Sequence, residues 1–152
     1  MLMHCYGCGE VYLIPSISMK QVAKVLIVDR DERYLLLTLN NHPRFHNDAD
    51  LPGGTIDEGE MPLEAAVREV SEEVGIDLQP DSLEEVHNSS NFSKNGTIYV
   101  LYEARIDQRP EVKLSWEHCR YEWVDRKTMQ QQAAKATDTY MHMVYAVLSN
   151  QE

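Results

Sequence analysis

Glu69, Glu72 and Glu73 crowd into the stretch "VREVSEEVGI" (Val67 to Ile76), beside Arg68 and downstream of the paired glycines Gly53 and Gly54. Carboxylates at i,i+3 and i,i+4 on a helix repel one another by roughly a few tenths of a kcal/mol per pair, and by more beside an apolar surface. A divalent cation would remove that repulsion. Clustered carboxylates together with backbone carbonyls make a hard-oxygen site suited to Mg2+, with Mn2+ as a substitute. Gly53-Gly54 allows a sharp bend that exposes carbonyl oxygens, and Gly59 allows a second bend before Glu60. Arg68, at i,i+4 to Glu72, can hold a carboxylate with two N–H groups. The alternative is a solvated acidic helix face that holds nothing.

The element that carries these acids has clear limits. Pro62 suits a first helical turn, where its missing N–H is not needed, and Gly75 suits the position just past the end, so a helix is expected over Pro62 to Val74. At 100° per residue Leu63, Val67, Val70 and Val74 fall within a ~60° arc, the stripe expected to pack on a sheet. Glu69, Glu72 and Glu73 spread over ~100° beside it. The three carboxylates are therefore expected along one edge of the buried face.

Around that helix the periodicity alternates. "VAKVLIV" (Val22 to Val28) and "YLLLTLN" (Tyr34 to Asn40) read as strands of a hairpin joined by "DRDER". "TIYVLYEARI" (Thr97 to Ile106) and "RYEWVD" (Arg120 to Asp125) read as further strands, "HNSSNFSKNG" as a loop, and the chain from about Asp125 as helical. Residues 1–152 are expected to form one α/β domain, a mixed sheet between helices, with residues 1–20 as an extension. With 43% hydrophobic and 26% charged residues the chain can bury a core, and the composition argues against disorder. Its net charge of -11 offers no basic face to DNA or RNA, so an anionic ligand needs a cation as intermediary. No apolar run reaches the ~18 residues of a membrane span, and "MLMHCYGCGEVY" lacks the pattern of a signal peptide. A cytoplasmic location is the default expectation. Cys5, Cys8 and Cys119 do not make a disulfide framework; Cys5 and Cys8 with His4 are either half a zinc site or plain reduced thiols.

Gly54, five residues, Glu60, seven residues, Arg68-Glu69-Val70, one residue, Glu72-Glu73, one residue, Gly75-Ile76 matches the Nudix signature at every defined position, and "LPGG" (Leu51 to Gly54) resembles the usual entrance to it. The chain thus resembles the Nudix (MutT-like) hydrolases. That resemblance implies an α/β/α sandwich and metal-dependent hydrolysis, by water attack on phosphorus, of a nucleoside diphosphate linked to another moiety. It implies that Glu69, Glu72 and Glu73 bind metal and supply or orient the base, that Arg68 orients them, that Glu60 pairs with Arg68, and that Gly53 or Gly54 gives a carbonyl ligand. A further carboxylate from outside the helix is expected; Glu117 in "SWEHCRYEWV" has a spacing similar to that of family members, with Glu103, Glu111 and Glu122 as competitors.

Arg44, with His42 and His46 in "NHPRFH", is a compact basic group that can contact a terminal phosphate. Phe92 lies where some subfamilies carry a proline or tyrosine that marks ADP-ribose or dinucleoside polyphosphate activity; neither residue occurs from Asn91 to Lys94, which counts against both classes. Thr55 stands where some nucleoside triphosphate cleavers carry a lysine. Tyr12, Phe45, Trp116 and Tyr140 are candidates for stacking on a base. The expected partner is a small nucleotide, with no nucleic-acid polymer and no membrane; a homodimer is compatible with the sequence. The competing function is a non-catalytic Nudix-fold module that binds a nucleotide and regulates a partner.

Overall fold

The computed structural model describes residues 2–4, 11–13, 19–40, 43, 44 and 47–151. Near the start, β1 (Leu2–His4) and β2 (Val11–Leu13) form a separate antiparallel pair. The main sheet contains β3 (Gln21–Asp29), β4 (Tyr34–Leu39), β5 (Ala49–Asp50), β6 (Gly53–Thr55), β7 (Leu83–Ser89), β8 (Ile98–Ile106) and β9 (His118–Val124). The helices are α1 (Pro62–Val74), α2 (Arg126–Lys135) and α3 (Tyr140–Ser149), with a 3-10 turn at Pro80–Ser82. Cys5, Cys8, His42, Phe45 and His46 lie outside the described residues, as do the side chains of His4 and Tyr12. Among the described residues, no helix is long and apolar enough to cross a membrane.

β3 is the centre. All of its residues after Gln21 are buried, Lys24 and Asp29 included, because both faces are covered, as in parallel sheets generally. It runs parallel to β8 along its whole length, Gln21 opposite Ile98 and Asp29 opposite Ile106. On the other side it pairs antiparallel with β6 through Val22–Lys24 and with β4 at Val28, and β7 closes the far edge beyond β8. The hairpin expected between β3 and β4 is present. β9 adds to β4, beginning at His118, two residues earlier than expected.

Strand alternation sorts β3 into two cores. Ala23, Val25 and Ile27 pack with Ala65, Ala66, Val70 and Val74 of α1, whereas Leu26 and Val28 pack with Met129 and Ala133 of α2 and Met141, Val144 and Leu148 of α3. Helices therefore cover both faces, and the expected α/β/α sandwich stands. Each fully buried Leu or Val contributes about 1.5–3 kcal/mol relative to exposure.

α1 keeps the expected limits. Glu64 accepts the Met61 N–H at 3.2 Å in the first turn, and Gly75, at φ 69°, turns the chain out of the helix. Its buried face is not the expected stripe. Ala65, Ala66, Val70, Glu73 and Val74 are buried, while Leu63 and Val67 are only half-buried. Small alanines bring the helix close to the sheet, and the face rotates toward the acids, so Glu73 lies inside it and not at its edge. Part of the expected loop after β7 is also strand, since β7 continues through Ser89.

Candidate active site

The end of α1, the β6 strand, the start of β9 and Tyr140 of α3 enclose a cavity of about 650 Å3. Two glycines set the approach of α1 to β6. Gly53, at φ 143°, lies so close to β3 that a Cβ would stand 2.1 Å from the Ala23 carbonyl oxygen. Its N–H donates to Glu73 Oε2 at 3.0 Å. Gly54 leaves open the volume that the Glu69 carboxylate fills. The pair thus serves close packing against two acids as well as the bend inferred from sequence.

Arg68 organises the loop before the helix. Its Nε and Nη2 donate to the two oxygens of Glu60 at 2.8 and 2.9 Å, its Nη1 to Glu69 Oε1 at 2.9 Å, and Nη2 also to the Thr55 carbonyl at 3.2 Å. The two-point grip falls on Glu60; Glu72 receives one contact, at 3.3 Å. Helical neighbours four apart present one oxygen to the guanidinium, whereas the Glu60 loop brings its carboxylate in edge-on. The Arg68 hydrogen bonds, with the Asp57 N–H second, hold the Glu60 carboxyl down to about 2.

Glu117 reaches the site because the segment before it docks on the end of α1. Lys113 N–H and Ser115 N–H donate to the Val74 and Glu73 carbonyls, both at 2.9 Å, satisfying groups a helix end would leave orphaned. Asn40 clamps the other side through the Glu117 carbonyl at 2.8 Å and the Trp116 carbonyl at 3.0 Å. Glu73, Glu117 and His118 consequently offer one donor atom each within 4.8 Å of one another. Of the competitors, Glu103 is buried against Arg105 on β8, and Glu111 and Glu122 are exposed away from the cavity. Burial, reinforced by Glu117 and opposed by Lys24, raises the Glu73 carboxyl strongly, and burial raises Glu69 against the pull of Arg68. Such a donor set fits a divalent cation, which would replace repulsion with bonds.

Behind these acids lies a buried network that the sequence reading did not single out. Asp50 accepts from Lys24 Nζ at 3.0 Å, from the Tyr140 hydroxyl and, at 2.8 Å, lies against His118 Nε2. Lys24 Nζ also donates to the Leu51 carbonyl at 3.0 Å, and Tyr140 Oη accepts the Leu51 N–H at 2.9 Å. Burial alone would raise Asp50, but Lys24 first, then His118 and Tyr140, bring it down to about 2. One signal was present: Lys24 inside "VAKVLIV" is a charge in a strand covered on both faces, and such a charge requires a partner.

Glu69 and Glu73 line the cavity with Gly53, Gly54 and Glu117, whereas Glu72, its side chain 59% exposed, lies outside the lining. Arg44 lines an adjoining recess with Lys20, Lys94 and Asn95. Phe92 packs against the α2–α3 core, edge-on to His87 at 5.6 Å, and lines neither space. Trp116 stands 81% exposed at the cavity rim, and Tyr140 stacks on Tyr99 at 5.3 Å inside it.

The NUDIX domain profile matches residues 19–144. The chain is 33% identical over 92 residues to an ADP-ribose pyrophosphatase of Methanocaldococcus jannaschii, covering 60% of this chain and 51% of that protein. It is 37% identical over 78 residues to an asymmetrical bis(5'-nucleosyl)-tetraphosphatase of Mus musculus, covering 48% and 52%. It spans about half the length of these relatives. The structure of a MutT protein from Methanosarcina mazei superimposes with a TM-score of 0.71 at 24% identity, over 90% of this chain and 98% of that one, a likeness of fold.

Proposed function

The chain belongs to the NUDIX domain family, and from that premise we propose that it is a Mg2+- or Mn2+-dependent pyrophosphohydrolase cleaving a nucleoside diphosphate linked to a second moiety. The observation that carries this reading is the convergence of Glu69, Glu73 and Glu117 on one cavity, with Gly53 and Gly54 packed against the first two. A divalent cation bound there would neutralise the pyrophosphate oxygens, polarise phosphorus and acidify a bound water.

The side chains divide the remaining work. Gly53 N–H fixes Glu73 through Oε2, and Arg68 fixes Glu69 through Oε1, so each keeps its other oxygen for the cation or for a proton. Glu60 holds Arg68 in turn. Trp116 offers a base a flat apolar face at the rim. Lys20, Arg44 and Lys94 line the adjoining recess together with Asp138 and leave it net positive, suited to an anionic second moiety.

Similarity to an ADP-ribose pyrophosphatase and a bis(5'-nucleosyl)-tetraphosphatase makes ADP-ribose and dinucleoside tetraphosphates the first substrates to try. Product release should be followed over these, nucleoside triphosphates, nucleotide sugars and CDP-alcohols, with Mg2+ and with Mn2+. Turnover of at least one is expected. Nucleotide binding without turnover of any would leave the non-catalytic module in its place.

A further inference from the structure

We infer that His118 supplies a nitrogen ligand, Nδ1, to the divalent cation of the site, an inference that rests on the metal-dependent reading above. His118 lies outside the signature running from Gly54 to Ile76. It is 4% exposed, and one of its ring nitrogens lies with carboxylate oxygens of Glu73 and Glu117 in a cluster no wider than 4.8 Å.

The tautomer follows from the neighbours. Nε2 is 2.8 Å from Asp50 Oδ2, and Asp50 is ion-paired to Lys24 Nζ at 3.0 Å while also accepting from the Tyr140 hydroxyl. A carboxylate in that company can only accept, so the hydrogen between it and the imidazole belongs to Nε2. Nδ1 then carries a lone pair. It is buried and meets no hydrogen-bond partner among the described residues. Buried acceptors without partners are rare and costly, which makes this atom a sign of a missing electrophile.

A carboxylate holding one ring nitrogen while the other faces a cation is the usual support for a metal-binding histidine, because it fixes the ring and raises its basicity. Ligands about 2.0–2.2 Å from one ion lie at most about 4.4 Å apart, so only a small contraction of the cluster is needed. Lys24 and Tyr140 act here as positioning residues, through Asp50. The ligand set becomes mixed oxygen and nitrogen, and imidazole favours Mn2+ and Co2+ over Mg2+ more strongly than carboxylates alone do. Mn2+ would then be the better-held cation and Mg2+ the substitute.

Pulsed electron paramagnetic resonance on the Mn2+-loaded protein is the direct test. Nitrogen-14 modulation from a directly bound imidazole is expected in the unmodified chain. His118→Gln keeps an N–H for Asp50 and removes Nδ1; it should lose that modulation and raise the Kd for Mn2+ and Co2+ at least about tenfold, with Mg2+ changed much less. Mn2+ binding without nitrogen coupling in the unmodified chain would overturn the assignment while leaving the hydrolase reading intact. Absence of any divalent binding would overturn both. If His118→Gln does not fold, the spectrum of the unmodified protein decides alone.

Discussion

Gly54 and Glu69 compete for one volume: a Cβ on Gly54 would fall 2.5 Å from the carboxyl carbon of Glu69. Gly54 has no positive φ, so alanine there is acceptable to the backbone, and the nearest atoms its Cβ would meet are all in the Glu69 carboxylate. Gly54→Ala should therefore fold with a near-normal melting temperature while losing at least ~10²-fold in kcat, the scale of a misplaced proton-handling group. Gly53→Ala makes the contrast, because its φ of 143° and the Ala23 carbonyl at 2.1 Å both forbid a side chain. Strain of about 1–3 kcal/mol or more should appear as a lowered melting temperature. Equal thermal losses in the two variants would refute this division of labour.

Glu69→Gln and Glu73→Gln should each reduce kcat at least ~10²-fold if the carboxylates hold the cation or handle the proton, and Glu72→Gln, whose side chain stands exposed outside the cavity, should cost less. In the unmodified protein, Mg2+ or Mn2+ at a hundredfold excess over Kd should stabilise by about 2.7 kcal/mol. NaCl at matched ionic strength should do much less, since screening does not replace direct bonds. Unchanged kcat in all three folded variants, or a shift reproduced by NaCl, would return the acids to a solvated face.

The raised Glu73 carboxyl links cation binding to pH. Burial is the main cause, with Glu117 adding to it and Lys24 opposing. A raised folded pKa contributes stability that is complete below the ordinary glutamate value of about 4.3 and is lost as pH rises through the folded value. Metal-free protein should thus lose stability on the alkaline side, Glu73→Gln should flatten that decline, and cation binding near neutral pH should release a proton. Calorimetry in buffers of different ionisation enthalpy reads the release directly; identical enthalpies in all buffers would mean Glu73 is already ionised. Asp50 has the opposite sign. Its contribution is present above about 3.9 and is lost only as pH falls toward about 2.

Trp116 and Arg44 should separate in substrate kinetics. Loss of a stacked base costs about 1–3 kcal/mol, so Trp116→Ala should raise KM for every nucleotide that is turned over, with kcat little changed. Arg44→Ala should raise KM chiefly for substrates whose second moiety is anionic and should leave cation affinity alone. A KM unchanged in both variants would move the substrate away from the rim and the adjoining recess.

The limits of α1 were legible because Pro62 and Gly75 have local, steric reasons to stand where they do. The buried face of α1 was not, because counting apolar residues overlooks alanine as the residue of close approach and assumes a glutamate stays outside. β5 and β6 are too short for any periodicity and exist through pairing with β4 and β3. Glu117 was suggested by the spacing that the family resemblance implies, whereas His118 and Asp50 look like ordinary loop and strand-end polar residues. Their meaning comes from Lys24 and Tyr140, which no local pattern connects to them.

The hold of Tyr140 on Asp50 has a consequence for the order of folding. The two residues are 90 positions apart, His118 and Asp50 are 68 apart, and Lys24 and Asp50 are 26 apart. Such distant closures are entropically expensive and form once the intervening chain is already organised. A nascent chain that has released α1 but not α3 carries the full run of acids, yet Asp50 lacks its hydroxyl donor. On the metal-dependent reading, competence to hold the cation would therefore be acquired late in synthesis, and a chain stalled before Tyr140 would emerge with its signature complete and its Asp50 network unmade.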